Sequence, residues 1–259
     1  MRMSPVVLAV FLSVTPVLFA QQAQWQEKKT THFIIHYKNA DEGFVDKVAQ
    51  ESEEYYNAIA DNLGFTRFDF WLWDARAHVY VYDDANEYQR ITGLPSWSLG
   101  ATIPNSKIIY AYPEANDFFD KVLPHEMGHI IFREFVGFYN HGAPDWLDEG
   151  VACYQMDVRD SGTQAIVRRA VENNNYISIS RLSGLSPRFM NSKEAISLFY
   201  AEATSIVEYL LSEFGRDKFV DFCSSLRDTR SLQEALRITY SFGSFQELED
   251  AWCKFVKNA

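Results

Sequence analysis

His125, Glu126 and His129 fall in the run Leu123, Pro124, His125, Glu126, Met127, Gly128, His129, and their spacing decides what they can do together. On a helix, residues four apart lie one turn apart on the same face, so both imidazoles can grip one metal ion. Neutral imidazole nitrogens suit zinc at about 2.0 to 2.1 Å, and catalytic zinc sites typically take three protein ligands and keep one position open. Glu126 adjoins the first histidine without pointing along the same ray. Its carboxylate is therefore placed to accept a proton from an attacking water and to return it to a leaving group.

The third ligand has to come from elsewhere. Glu149 is the best candidate, in the run Asp145, Trp146, Leu147, Asp148, Glu149, Gly150, which reads as a second helix able to lie antiparallel over the histidine pair. His141, in a loop with glycine and proline, is the weaker rival, and a surface histidine is its plainer role. The three-histidine metzincin pattern fails, because Phe132 and Phe135 occupy the positions of its glycine and its last histidine. Gly128 inside the first helix costs about 1 kcal/mol relative to alanine, which points to a close approach by the second helix.

The elements that must position these groups follow from periodicity. A first strand is predicted over 31–37, then a helix over 42–63 with apolar residues at helical spacing and Gly64 as its stop. A second strand is predicted over 78–82, a short helix capped by Asp83 and Asp84 reaches towards Ile91, and a third strand spans 106–112. The back half reads as helical, starting with 124–138 and 145–158. Ser231 with Glu234 and Ser244 with Glu247 form capping boxes, and Gly215 is a helix stop. The fold class expected is α+β: a two-lobed domain with an N-terminal mixed sheet, an active-site helix pair and a C-terminal helical lobe.

The chain has 259 residues and a formal net charge of -11, and its lysines and arginines are scattered, which argues against nucleic-acid binding. Arg2 followed by an apolar run to Ala20 has the pattern of a secretory signal peptide cleaved after Ala20, with an uncleaved anchor as the alternative. The domain division expected is 1–20 signal peptide, 21–113 N-terminal lobe, and 114–259 zinc-site helices with the helical lobe. An exported location, periplasmic or secreted, follows from the signal. No stable membrane span is expected once it is removed. Cys153, Cys223 and Cys253 allow at most one intrachain disulfide; Cys223 with Cys253 is one reading and three buried thiols the other. Phe68, Phe70, Trp71 and Trp73 read as core or ordered loop rather than as a contact surface.

With these residues in place, the sequence resembles the gluzincin peptidases, the peptidase MA-like group, and within it the aminopeptidase N branch more than thermolysin. The likeness runs over roughly 123–214. Trp146, Leu147, Asp148, Glu149, Gly150, Val151 and Ala152 look like that branch's second-helix motif, in which tryptophan and leucine precede the zinc-binding glutamate. The resemblance implies a zinc peptidase with one zinc per chain, held by His125, His129 and Glu149, with Glu126 as base and a peptide or protein as substrate. Tyr200, in Phe199, Tyr200, Ala201, Glu202, Ala203, lies where such enzymes place a tyrosine that hydrogen-bonds the tetrahedral intermediate; a core tyrosine is the other reading.

Two departures from the family carry expectations of their own. The segment Gly100, Ala101, Thr102, Ile103, Pro104, Asn105 has no carboxylate to bind a free amine, so an endopeptidase is expected rather than an aminopeptidase. Cys153 stands where thermolysin has an aspartate backing a zinc-binding histidine, so Asp148 or a backbone carbonyl has to orient the imidazoles. The strand at 106–112 is expected to border the cleft and pair with extended substrate. A catalytically silent peptide-binding scaffold and a hydrolase of non-peptide envelope amides are the competing functions.

Overall fold

A computed structural model describes residues 24–258, apart from 66–70, 95, 97, 114, 116, 157–160 and the side chain of 161. The expected signal segment and Phe68, Phe70 and Val158 lie outside the described residues. Five strands form one mixed sheet: β1 (Gln26–Lys29), β2 (Phe33–Tyr37), β3 (Ala77–Val81), β4 (Ala101–Ile103) and β5 (Ile108–Ala111), in the order β1-β2-β3-β5-β4. The inner pairs β2 with β3 and β3 with β5 are parallel, and the outer pairs are antiparallel.

The period of two assigns the faces. Ile35, Val79 and Ile109 lie in register across the sheet and are fully buried against the helices, while His36, Tyr80 and Tyr110 form the row on the opposite face. The reading of 106–112 as the substrate-pairing strand is corrected by this order. β5 is hydrogen-bonded to β3 on one side and β4 on the other, so it has no open edge. Among the described residues the edge strands are β1 and β4 instead, and β4 is the one next to β5. Neither outer strand was foreseen, because β1 is the polar QEKK and β4 has only three residues.

The first helix is α1 (Glu42–Leu63), where Asp41 accepts from the Phe44 amide at 3.0 Å and Gly64 ends the helix at φ 75°. Asp84 caps α2 (Ala85–Thr92) through the Glu87 amide at 2.8 Å. A π-helical turn over Phe118–Val122 leads into α3 (Leu123–Val136). Pro124 explains the wide turn: its ring has no N–H and would collide with the carbonyl four residues back in a regular helix. α3 ends two residues earlier than the periodicity suggested, at Gly137 with φ 99°. α4 (Asp145–Tyr154), α5 (Ser161–Glu172) and the short α6 (Ile179–Leu182) follow.

Gly215 stops a helical run, as its residue type suggested. α7 runs Lys193–Thr229, and Gly215, at φ 81° and ψ 165°, breaks it into two helical runs. Ser231 opens α8 (Leu232–Tyr240) by accepting from the Glu234 amide, although the Glu234 carboxylate pairs with Arg237 rather than closing the box. In α9 (Phe245–Asn258), Ser244 accepts from the Glu247 amide at 3.3 Å and Glu247 reaches back to the Gly243 amide at 2.9 Å.

One buried apolar cluster runs through the sheet, α1, α3, α4 and α7, across the division expected near residue 113. Trp71 is fully buried, with its indole N–H donating to Glu134 of α3, whereas Trp73 is 81% exposed. Cys153, Cys223 and Cys253 are all free thiols, so the expected Cys223–Cys253 alternative is not formed. Among the described residues, no helix is long and apolar enough to cross a membrane.

Candidate metal centre

The first turns of α3 carry His125, Glu126 and His129, and α4 brings Glu149 to them. The two Nε2 atoms are 3.2 Å apart, and Glu149 Oε2 lies 3.5 Å from His125 Nε2 and 3.6 Å from His129 Nε2. Three donors therefore converge from two helices, all within 4.8 Å of one another. Two glycines permit this approach. A Cβ at Gly128 would stand 2.9 Å from Ala152 Cα, and one at Gly150 would stand 2.4 Å from Ala203 O of α7. α4 is thus wedged between α3 and α7 where neither glycine has a side chain.

Behind the donors, each histidine has a different partner. His129 Nδ1 is 3.0 Å from Asp148 Oδ1, and Arg133 holds the other oxygen of Asp148 at 2.8 Å and reaches Asn140 O at 3.3 Å. His125 Nδ1 faces Cys153 Sγ at 3.6 Å. Asp148 was one of the orienting groups considered from the sequence. Arg133 was missed, although a cation one turn after His129 in an otherwise apolar helix was a visible signal. His141 is exposed and stands outside the group of converging donors.

Burial and mutual charge set the protonation states. Burial, with His129 beside it, pushes His125 down to about 4, which leaves a neutral ring able to donate a lone pair. For His129 burial works in the opposite direction, but Asp148 and Glu149 overcome it and raise the ring well above its usual value. Glu149 is held below the usual carboxylate range: burial opposes this, and the two histidines outweigh it. Burial raises Glu126 to about 7, with Glu149 and Asp148 adding to the shift against His129. Burial, then the charge of Glu149, pushes the Cys153 thiol up to about 12, so it stays S–H.

The residues present fit a metal ion. Glu149 Oε2 is buried with no hydrogen-bond partner although it faces two imidazole nitrogens, and a divalent cation is what such a set lacks. Tyr200, on α7, is close enough for Glu149, Cys153 and Glu126, after burial itself, to raise its phenol. A cavity of about 340 Å³ opens beside it, walled by Cys153, Tyr154, Ile166, Tyr200 and Thr204. On the other side, a Cβ at Gly100 would meet Val122 at 2.4 Å and Glu126 Cγ at 3.7 Å, so the start of β4 lies directly against Glu126.

A family model described as the Peptidase MA superfamily matches residues 74–258, a span that includes α3, α4 and α7. No curated protein matches the chain. The expectation drawn from the His125 to Ala152 motifs is met at the level of the superfamily, whose members are typically metal-dependent. With most of its length and every converging donor inside the match, the chain belongs to the peptidase MA superfamily.

Proposed function

We propose that this chain is an exported zinc-dependent endopeptidase. The observation that carries the reading is the buried Glu149 Oε2, without a hydrogen-bond partner, set against the Nε2 atoms of His125 and His129. Zinc bound there supplies a Lewis acid and lowers the pKa of water towards about 7. Glu126 accepts the proton of the attacking water and passes it to the leaving amine, the role its place beside His125 suits. Tyr200 donates its phenol proton in a hydrogen bond to the oxyanion as charge develops on the former carbonyl.

β4 presents the open sheet edge beside Glu126, and an extended peptide laid along it exchanges backbone hydrogen bonds with that strand. The β4 segment has no carboxylate for a free amine, which favours internal cleavage. The cavity beside Tyr200 has room for one bulky apolar side chain next to the scissile bond. Export rests on the charged and apolar pattern of the first residues.

The test pairs zinc analysis with hydrolysis of casein by wild type and Glu126→Gln. One zinc per chain in both, with turnover lost by about 10²-fold or more in the variant, is expected. Zinc without hydrolysis in wild type would favour the silent scaffold, and the absence of stoichiometric zinc would remove the ligand set. Peptides N-methylated at successive positions should lose cleavage where β4 pairs with them; uniform cleavage of all of them would rule out that pairing.

A further inference from the structure

His125 and His129 converge through Nε2, so in the tautomer that leaves both lone pairs free the ring protons sit on Nδ1. A ligating histidine needs an acceptor for that proton, since the acceptor holds the ring's orientation and raises the basicity of the donor nitrogen. His129 has a carboxylate for this purpose, Asp148, fastened by Arg133. His125 has the sulfur of Cys153 at 3.6 Å, a normal separation for N–H to sulfur.

Thr204 of α7 stands in the same cavity wall as Cys153, and its hydroxyl donates at 2.8 Å to the carbonyl of Tyr200, so its proton is committed away from the sulfur. The contact that Cys153 makes at the centre is therefore the one with His125, from α4 to α3.

We propose that Cys153 is a positioning residue of the metal centre, a sulfur acceptor that fixes the tautomer and orientation of His125. The inference rests on the metal-binding reading above. It explains why a cysteine stands one turn after Glu149 in a wall that packing alone would fill with valine or alanine. Sulfur is a weaker acceptor than a carboxylate, so the two histidines are unequal: His129 is held by charge and His125 by a neutral contact.

The experiment measures zinc affinity by competition with a chromophoric chelator in wild type and in Cys153→Ser, Cys153→Val, Cys153→Ala and Thr204→Val. If sulfur acts as an acceptor, serine stays within about threefold of wild type, while valine and alanine weaken zinc binding by about 10- to 100-fold. Packing alone would give the reverse order, with valine close to wild type and serine impaired, and that order overturns the proposal. Equal affinity in all the variants overturns it too. Thr204→Val changes the same cavity wall and leaves the sulfur in place, so it is expected to stay within about threefold of wild type; a loss as large as that of Cys153→Val would mean that wall packing sets the affinity and would overturn the proposal. Imidazole nitrogen shifts of the metal-free protein should show His125 protonated at Nδ1 in wild type, with mixed tautomers in Cys153→Val. Wild type that binds no zinc overturns the metal reading itself, whereas wild type that binds zinc with no loss in any variant overturns only the role of Cys153.

Discussion

Two clusters of buried acids lie within the same helical lobe and are built on different principles. Around α6, Glu202 accepts from the Ile177 amide at 3.0 Å, and Glu249 accepts from the Ile179 amide at 2.8 Å and from the Tyr176 hydroxyl at 3.1 Å. These carboxylates close amide groups that the chain leaves open as it enters a helix. At the metal centre Asp148 is fully engaged, but Glu149 Oε2 has no donor and Glu126 is carried at the edge of ionisation. Burial costs a carboxylate about as much in either place. Around α6 backbone donors meet the buried acids, and the acids are structural; at Glu149 they are missing, which suits a cation from outside.

The contrast can be broken by experiment. The largest effect expected is on zinc-linked stability: at a free zinc concentration about 1,000 times Kd, wild type should gain about 4 kcal/mol, and Glu149→Gln should gain almost none. Thermal melts with and without zinc check this, and an equal gain in the variant would remove Glu149 from the ligand set. Next, Glu249→Ala should cost about 2 to 4 kcal/mol in urea unfolding, because it orphans several donors at once, and should leave zinc affinity unchanged. Coupled loss of zinc would mean that the two clusters are not independent.

A separate effect concerns pH. Burial, together with the nearby Glu249, raises Glu202 to about 8 against the pull of the Ile177 amide. Folded protein therefore keeps a proton that the unfolded chain releases between about pH 4.5 and 8, and this group makes the fold less stable as pH rises through that window. Glu202→Gln should match wild type near pH 4.5 and exceed it above pH 8. Parallel unfolding curves for the two proteins at every pH would show that Glu202 holds no extra proton in the folded protein.

Much of the centre was legible because helical spacing and residue type act locally. His125, His129 and Glu149 converge as the spacing of a helix pair requires, and Gly128 faces Ala152 as its cost inside a helix suggested. Helix α1 and its stop at Gly64 were equally plain. What escaped was non-local. The edge position of β4 follows from strand order, which no three-residue pattern encodes, and the partnership of Cys153 with His125 depends on the rotation of α4. Gly215, by contrast, was legible: its positive φ interrupts α7 as the residue type suggested. The superfamily match covers the motif helices, while the role of Tyr200 rests on its nearness to Glu149 and Glu126.

The brevity of β4 bears on how this protein survives at high concentration. An open strand edge is a template for any extended chain, including another copy's, and long apolar edges seed aggregates. Here the edge is only three residues long, Ala101–Ile103, and gives way at once to a 3-10 turn beginning at Pro104. A flexible peptide can dock against so short a rung, but two folded molecules zipped along it would gain very few hydrogen bonds. The same strand would admit a transient guest while offering little foothold for sheet-to-sheet polymerisation at this edge of the sheet.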